Sequence, residues 1–194
     1  MKIKKHIKNY FYERKISKAK KVVVGAGESK YDGWVSLDYE QLDLIDRSSF
    51  SKYWKEGSRT VFLAEHVWEH LSPEDGIVAA NNCYNFLKHK GRLRIAVPDG
   101  YHPDEEYIDH VRPGGFGIGS DDHKVLYNYI SLSSLLTKAG FDVELLEYWD
   151  DEGVFNTVPW NIDDGLIRRS IMHDDRNKNG LPIYTSLIVD AIRP

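Results

Sequence analysis

Lys21-Val22-Val23-Val24-Gly25-Ala26-Gly27, followed after a short polar turn by Trp34-Val35-Ser36-Leu37-Asp38, decides the fold. The β-branched run ending in glycines reads as a buried strand that enters a tight turn. Residues 34–38 read as a second strand. Only about six residues separate the two, fewer than the dozen or so that a helical crossover between parallel strands requires. The first crossover is therefore abbreviated.

Working outward, residues 42–44 read as a short third strand, and residues 60–64 (TVFLA), apolar throughout, as the central one. Ser72 suits an N-cap, Pro73 the first helical position, and Glu74 and Asp75 the positive end of a helix. This helix is predicted to run to about residue 90, with Gly91 at C′. Residues 92–97 form a strand ending at Pro98-Asp99-Gly100. Residues 101–122, polar and glycine-rich, read as a mobile loop. A helix over 131–138, a strand over 141–149, an irregular stretch over about 150–180 and a last strand over 183–192 complete the pass. Strands alternating with helices indicate an α/β domain with a mostly parallel sheet.

The 194 residues fit one domain, 21–194, preceded by a basic arm, 1–20. Residues 1–21 carry nine Lys or Arg against one acid, while the remainder carries seventeen basic and twenty-nine acidic residues. An acidic body argues against a broad nucleic-acid face. Ile3, Ile7, Tyr10 and Phe11 recur at helical spacing in the arm, which reads as a basic amphipathic helix laid on the domain. Contact with an anionic surface is the weaker alternative. No membrane-spanning run and no secretory signal pattern is visible, and a single cysteine, Cys83, fits a reducing compartment, so the expected address is cytoplasmic. Cys83 shares helical spacing with Ile77, Ala80 and Leu87 and reads as a core residue.

Gly25 and Gly27 let a ligand approach the main chain, and Asp38 stands where an acid accepts hydrogen bonds from ribose hydroxyls. Lys30 occupies the place of the last glycine of a dinucleotide fingerprint, and no helix begins there to receive pyrophosphate. A ligand with ribose but no phosphate fits better.

With VVVGAG, GWVSLDYE, FLAEHVWEHLSPEDG, FLKHKGRLRIAVPDG and HKVLYNYISLSSLLTKAGFDVELLEYW in that order, the chain resembles the class I S-adenosylmethionine-dependent methyltransferases, in particular a compact bacterial group of predicted methyltransferases. The acid usual two residues before the first glycine is Val23 here, and the third glycine is Ser29. The resemblance implies a Rossmann-like, mostly parallel seven-stranded sheet with the last strand antiparallel. It implies S-adenosyl-L-methionine as cofactor. Gly25, Ala26 and Gly27 would hold its amino-acid part and Asp38 its ribose, Asp43 and Leu44 would flank its adenine, and Tyr39 would also border the cofactor. Glu65 and His66 would lie beside the reactive methyl.

His66-Val67-Trp68-Glu69-His70 spells H-x-x-E-H, an inverted zinc-peptidase motif that needs a helix. The restart at Ser72-Pro73 leaves it barely one turn, so a zinc hydrolase is set aside and no metal is expected. His123, which follows the glycine-rich segment, and then His66 are the candidates for a general base. Tyr101, Arg168, Arg169 and Arg176 are the candidates for the acceptor, a small anionic or sugar-like molecule held under lid segments 101–122 and 150–180. A catalytically silent binding module on the same fold is the alternative.

Overall fold

The computed structural model describes the backbone of residues 2–194 and the side chains of residues 10–177 and 179–194. Helix α1 (Lys2–Lys18) leads into β1 (Lys21–Val24) and β2 (Val35–Leu37), which no helix separates. Then follow α2 (Arg47–Ser51), β3 (Arg59–Glu65), α3 (Pro73–Phe86), β4 (Leu87–Pro98), α4 (Glu105–Val111), α5 (Tyr129–Lys138), β5 (Asp142–Trp149), β6 (Phe155–Thr157) and β7 (Ser186–Ile192). The strands form one seven-stranded sheet in the order β2-β1-β3-β4-β7-β5-β6. As expected, the sheet is mostly parallel and the last strand, β7, runs antiparallel to both neighbours. The seventh member is the edge strand β6, which pairs antiparallel with β5. Residues 42–44, expected as a strand, join no strand and lead into a turn at residues 44–45.

Period-2 alternation sorts the strand residues between two faces. Val22, Val24, Phe62, Ala64, Ile95 and Val97 join the larger core, which α2, α3 and α5 cover through Phe50, Cys83, Phe86, Leu132 and Leu136. Val23, Leu63, Ala96 and Ile188 face the other way, onto Tyr31, Trp34, Trp160 and Ile167. Among the described residues, none of this second cluster lies in an α-helix, and the first crossover is too short to supply one. Two irregular segments cover it instead.

Three further expectations need correction. Helix α3 ends at Phe86, not at about residue 90, and Leu87 is already extended. Pairing of Leu87 with Arg59 captures the chain for the sheet, and Gly91 lies inside β4 rather than at C′. Residues 101–122 are not a bare loop. Asp104 caps α4 by accepting from the Glu106 amide, and a 3-10 turn covers Ser120–Asp122. In the arm, Tyr10 and Phe11 are exposed and the docked side chain is Ile16, whose carbonyl accepts from Trp54 Nε1 at 2.9 Å. The side chains of Ile3 and Ile7 lie outside the described residues. Among the described residues, no helix is long and apolar enough to cross a membrane.

Candidate functional site

The carboxyl ends of β1, β2 and β3 meet at a rim, as ligand sites of open α/β sheets do. Gly25 and Gly27 both take positive φ, +56° and +50°, and a Cβ on Gly25 would stand 2.6 Å from Val67 Cγ2. Glycine is thus required at 25 by conformation and by space. Asp38 joins the two strand ends: its carboxylate accepts from the Gly27 amide at 3.1 Å and from the Tyr39 amide at 2.9 Å. The turn beyond it is held from behind, where Asn82 Nδ2 donates to the Leu44 carbonyl and Ser49 Oγ to that of Asp43.

These walls enclose a crevice of about 410 Å³ bordered by Gly25, Asp38, Tyr39, Asp43, Leu44 and His66. A second hollow of about 230 Å³ lies on the other side of Gly25 and His66, against residues 25–29, Glu65, Arg168 and Arg169. The Glu65 carboxylate accepts from the Arg168 and Arg169 amides at 2.8 and 2.9 Å, and Arg168 Nε stands 3.2 Å from it. Ala26 borders this hollow, and its amide donates to the Leu37 carbonyl.

His66 also borders a third space, a chamber of about 360 Å³ shared with Glu69, His70, His123, Arg169 and Arg176. His66 itself has a left-handed backbone, φ 57°. One ring nitrogen, Nε2, is 3.0 Å from Ser186 Oγ; the other, Nδ1, is 2.9 Å from Glu69 Oε1. Glu69 is fully buried, and its Oε2 has no hydrogen-bond partner among the described residues. Burial alone would push its carboxyl up, but the neighbouring His66 outweighs this and holds it below the usual range. His123 Nδ1 contacts the Val111 carbonyl at 2.6 Å. Arg176 chelates Asp174 and lies 3.5 Å above the Tyr184 ring.

The residues read from the sequence thus separate into groups. Gly25, Ala26, Gly27, Asp38, Tyr39, Asp43, Leu44, Glu65 and His66 line the crevice and its adjoining hollow. Arg168 belongs to the hollow, Arg176 and His123 to the chamber, and Arg169 to both. Tyr101 borders none of these spaces. Its ring packs on Tyr129 and its amide donates to Asp99. Glu69, His70 and His110 are chamber residues that the sequence reading left without a functional role. A signal for His110 existed in the glycines of residues 114–119, since a Cβ on Gly117 would come within 2.7 Å of the His110 ring. The helix that an H-x-x-E-H site needs does not form: Trp68–His70 is a single 3-10 turn, and Leu71 is extended.

No protein-family model matches the chain, and no curated protein matches it. Solved structures do. A SAM-dependent methyltransferase from Archaeoglobus fulgidus aligns over 98% of this chain and 91% of its own at 16% identity, with a TM-score of 0.50. A chain in the complex of the Haloferax volcanii Trm112 methyltransferase activator with a putative methyltransferase aligns over 98% and 93% at 11% identity, TM-score 0.52. A possible histamine N-methyltransferase from Thermotoga maritima aligns over 99% and 96% at 12% identity, TM-score 0.51. The chain has the fold of the SAM-dependent methyltransferases.

Proposed function

We propose that this protein transfers a methyl group from S-adenosyl-L-methionine to a small anionic or sugar-like acceptor. One observation carries the reading. A crevice lined by the Asp38 carboxylate and by the apolar Leu42, Leu44, Val67 and Leu71 shares His66 with a chamber bordered by Arg169 and Arg176.

The donor set suits the cofactor. Leu42, Leu44, Val67 and Leu71 offer an apolar slot for a flat base. Asp38 retains lone pairs for ribose hydroxyls beyond those its two amides use. Main-chain groups at 25–29, with Glu65 and Arg168, offer both signs of charge for an amino-acid end. The cofactor supplies an electrophilic methyl, so the protein's task is alignment and exclusion of water. Gly25 lets the main chain close on the ligand, and Val67 fills the space a side chain there would take. His66 stands between donor and acceptor spaces, where an imidazole takes a proton from a hydroxyl or amine acceptor. His123 faces the chamber from its other wall. Its Nδ1 donates to the Val111 carbonyl at 2.6 Å, which orients the ring. The segments 101–122 and 150–180 supply the chamber's His110, Arg169 and Arg176 and act as its cover.

Cofactor binding to the native state must raise the melting temperature. A shift is expected with S-adenosylmethionine or S-adenosylhomocysteine. Asp38→Ala should weaken binding roughly tenfold or more, from the loss of charge-assisted bonds worth about 1.5–3 kcal/mol. No shift and no calorimetric heat with the wild type at millimolar cofactor would reject the reading.

A further inference from the structure

We propose that Glu69, His70 and His123 form a binding site for one divalent transition-metal ion of the zinc class, set in the wall of the chamber.

One potential ligand atom from each of the three lies within 4.8 Å of the others. Tetrahedral ligands about 2.0–2.1 Å from a zinc ion stand some 3.3 Å apart, a spacing reached from here by small rotamer changes. The fold brings the set together through the main chain, because the Lys124 and Val125 amides both donate to the Glu69 carbonyl, at 2.7 and 3.3 Å. His123 is thereby fixed beside the 3-10 turn that carries Glu69 and His70.

Each histidine also has an acceptor at one ring nitrogen. His70 Nδ1 is 3.3 Å from the Asp122 carboxylate, and His123 Nδ1 is 2.6 Å from the Val111 carbonyl. An acceptor at Nδ1 places the proton there and leaves Nε2 as the lone pair, as the outer partners of metal-bound histidines do. The two rings stand nearly edge to face, their centroids 4.8 Å apart. Glu69 supplies the third and independent indication. It is fully buried and borders the chamber; Oε1 stands 2.9 Å from His66 Nδ1, and Oε2 has no hydrogen-bond partner among the described residues. A buried carboxylate oxygen without a partner is costly, and a cation satisfies it.

Two nitrogens and one carboxylate oxygen suit zinc and its first-row neighbours better than magnesium or calcium. This set differs from the H-x-x-E-H reading. His66 Nε2 is 3.0 Å from Ser186 Oγ and its Nδ1 faces Glu69, and His123 takes its place in the set. Three protein ligands leave a position open. Arg169 and Arg176 border the same chamber, and an acceptor oxygen held there would complete the shell; this last point alone rests on the methyl-transfer reading.

The test is titration of the chelator-stripped full chain with Co²⁺, followed by visible absorption, and with Zn²⁺, followed by calorimetry. One equivalent is expected, with His70→Ala and His123→Ala each weakening binding at least about a hundredfold, beyond the usual effect of outer-shell changes. The exposed His89→Ala should bind as the wild type does. Glu69→Gln should also lose the ion, but if burial makes that variant misfold, the two histidine variants decide. Absence of one-to-one binding, or binding unaltered in His70→Ala and His123→Ala, overturns the site. Cofactor-induced melting shifts on the same stripped protein keep the two readings apart. A shift without cobalt binding rejects the metal site alone, whereas cobalt binding without a shift supports it and rejects methyl transfer alone.

Discussion

Asp38 and Asp99 both follow the ends of strands, and in the sequence they look alike. Their surroundings separate them. Asp38 opens on the crevice, whereas Asp99 is fully buried and accepts from the Trp149 and Tyr101 amides at 2.7 and 3.0 Å, tying β4 to β5. Burial raises the Asp99 carboxyl to about 6, and the two amides only partly offset this. The folded value therefore lies above the roughly 3.9 of an unfolded aspartate. Protonation favours the fold: the contribution is complete below about pH 4 and is lost as pH rises through 6. On the order of 2–3 kcal/mol is at stake across that window. Denaturation of wild type and Asp99→Asn from pH 4 to 7.5 should show the wild type losing ground to the variant as pH rises. Parallel curves would contradict this. No sequence pattern could have told the two aspartates apart, because what differs is which distant amides reach them.

At the scale of elements, the start of α3 was legible and its end was not. Ser72 Oγ accepts from the Asp75 amide at 3.1 Å and donates to the Asp75 carboxylate at 2.8 Å, as expected of an N-cap. Such a cap depends on neighbouring residues alone. The end depends on pairing between β3 and β4, which no local signal announces. Gly91 was read as special for a conformational reason, but its actual constraint is space, since a Cβ there would lie 2.8 Å from the Lys88 carbonyl oxygen. The left-handed residue is its neighbour, Lys90, at φ 59°. The crevice shows the same division. Its glycines and Asp38 are local features of one β-turn-β unit, while Glu69 and His123 meet only through tertiary structure. Because α3 begins directly behind the turn carrying Glu69 and His70, its cap also steadies the chamber. Ser72→Ala should cost about 1 kcal/mol, read as a lowered denaturation midpoint with unchanged slope. A loss within about 0.2 kcal/mol would mean that Asp75 and Pro73 hold the helix start unaided.

For the whole molecule, the decisive economy is the missing first crossover helix, because the sheet face it leaves open must be covered by chain from elsewhere. Arg94 organises that cover. Arg94 and Asp190 are buried and share two hydrogen bonds of 2.7 Å across the β4–β7 pair. The remaining guanidinium nitrogen, Nη1, donates to the Asn161 and Gly165 carbonyls at 2.8 and 2.7 Å. Trp160 lies under the same guanidinium, 4.9 Å from ring centroid to Cζ, and its Nε1 donates to the buried Glu147. The irregular segment is thereby fixed to the sheet, and it delivers the Arg168 and Arg169 amides to Glu65 at the mouth of the hollow. Removing one partner of a buried pair leaves the other charge uncompensated, so Arg94→Met should destabilise the protein by about 3–5 kcal/mol. Arg92, 2.5 Å from Asp190, should hold the loss toward the lower end of that range. Arg94→Met with Asp190→Leu removes the orphaned charge and should regain much of the global stability, because a buried ion pair replaced by apolar groups is often neutral. It cannot restore the donors to Asn161 and Gly165. Hydrogen exchange should therefore show residues 165–171 poorly protected in both variants, with β1, β3 and α3 protected again in the double variant. Cofactor affinity should fall in both, because Glu65 would no longer be held by the Arg168 and Arg169 amides. Full protection of residues 165–171 in the double variant would show that Trp160 and Ile167 hold the segment by packing alone.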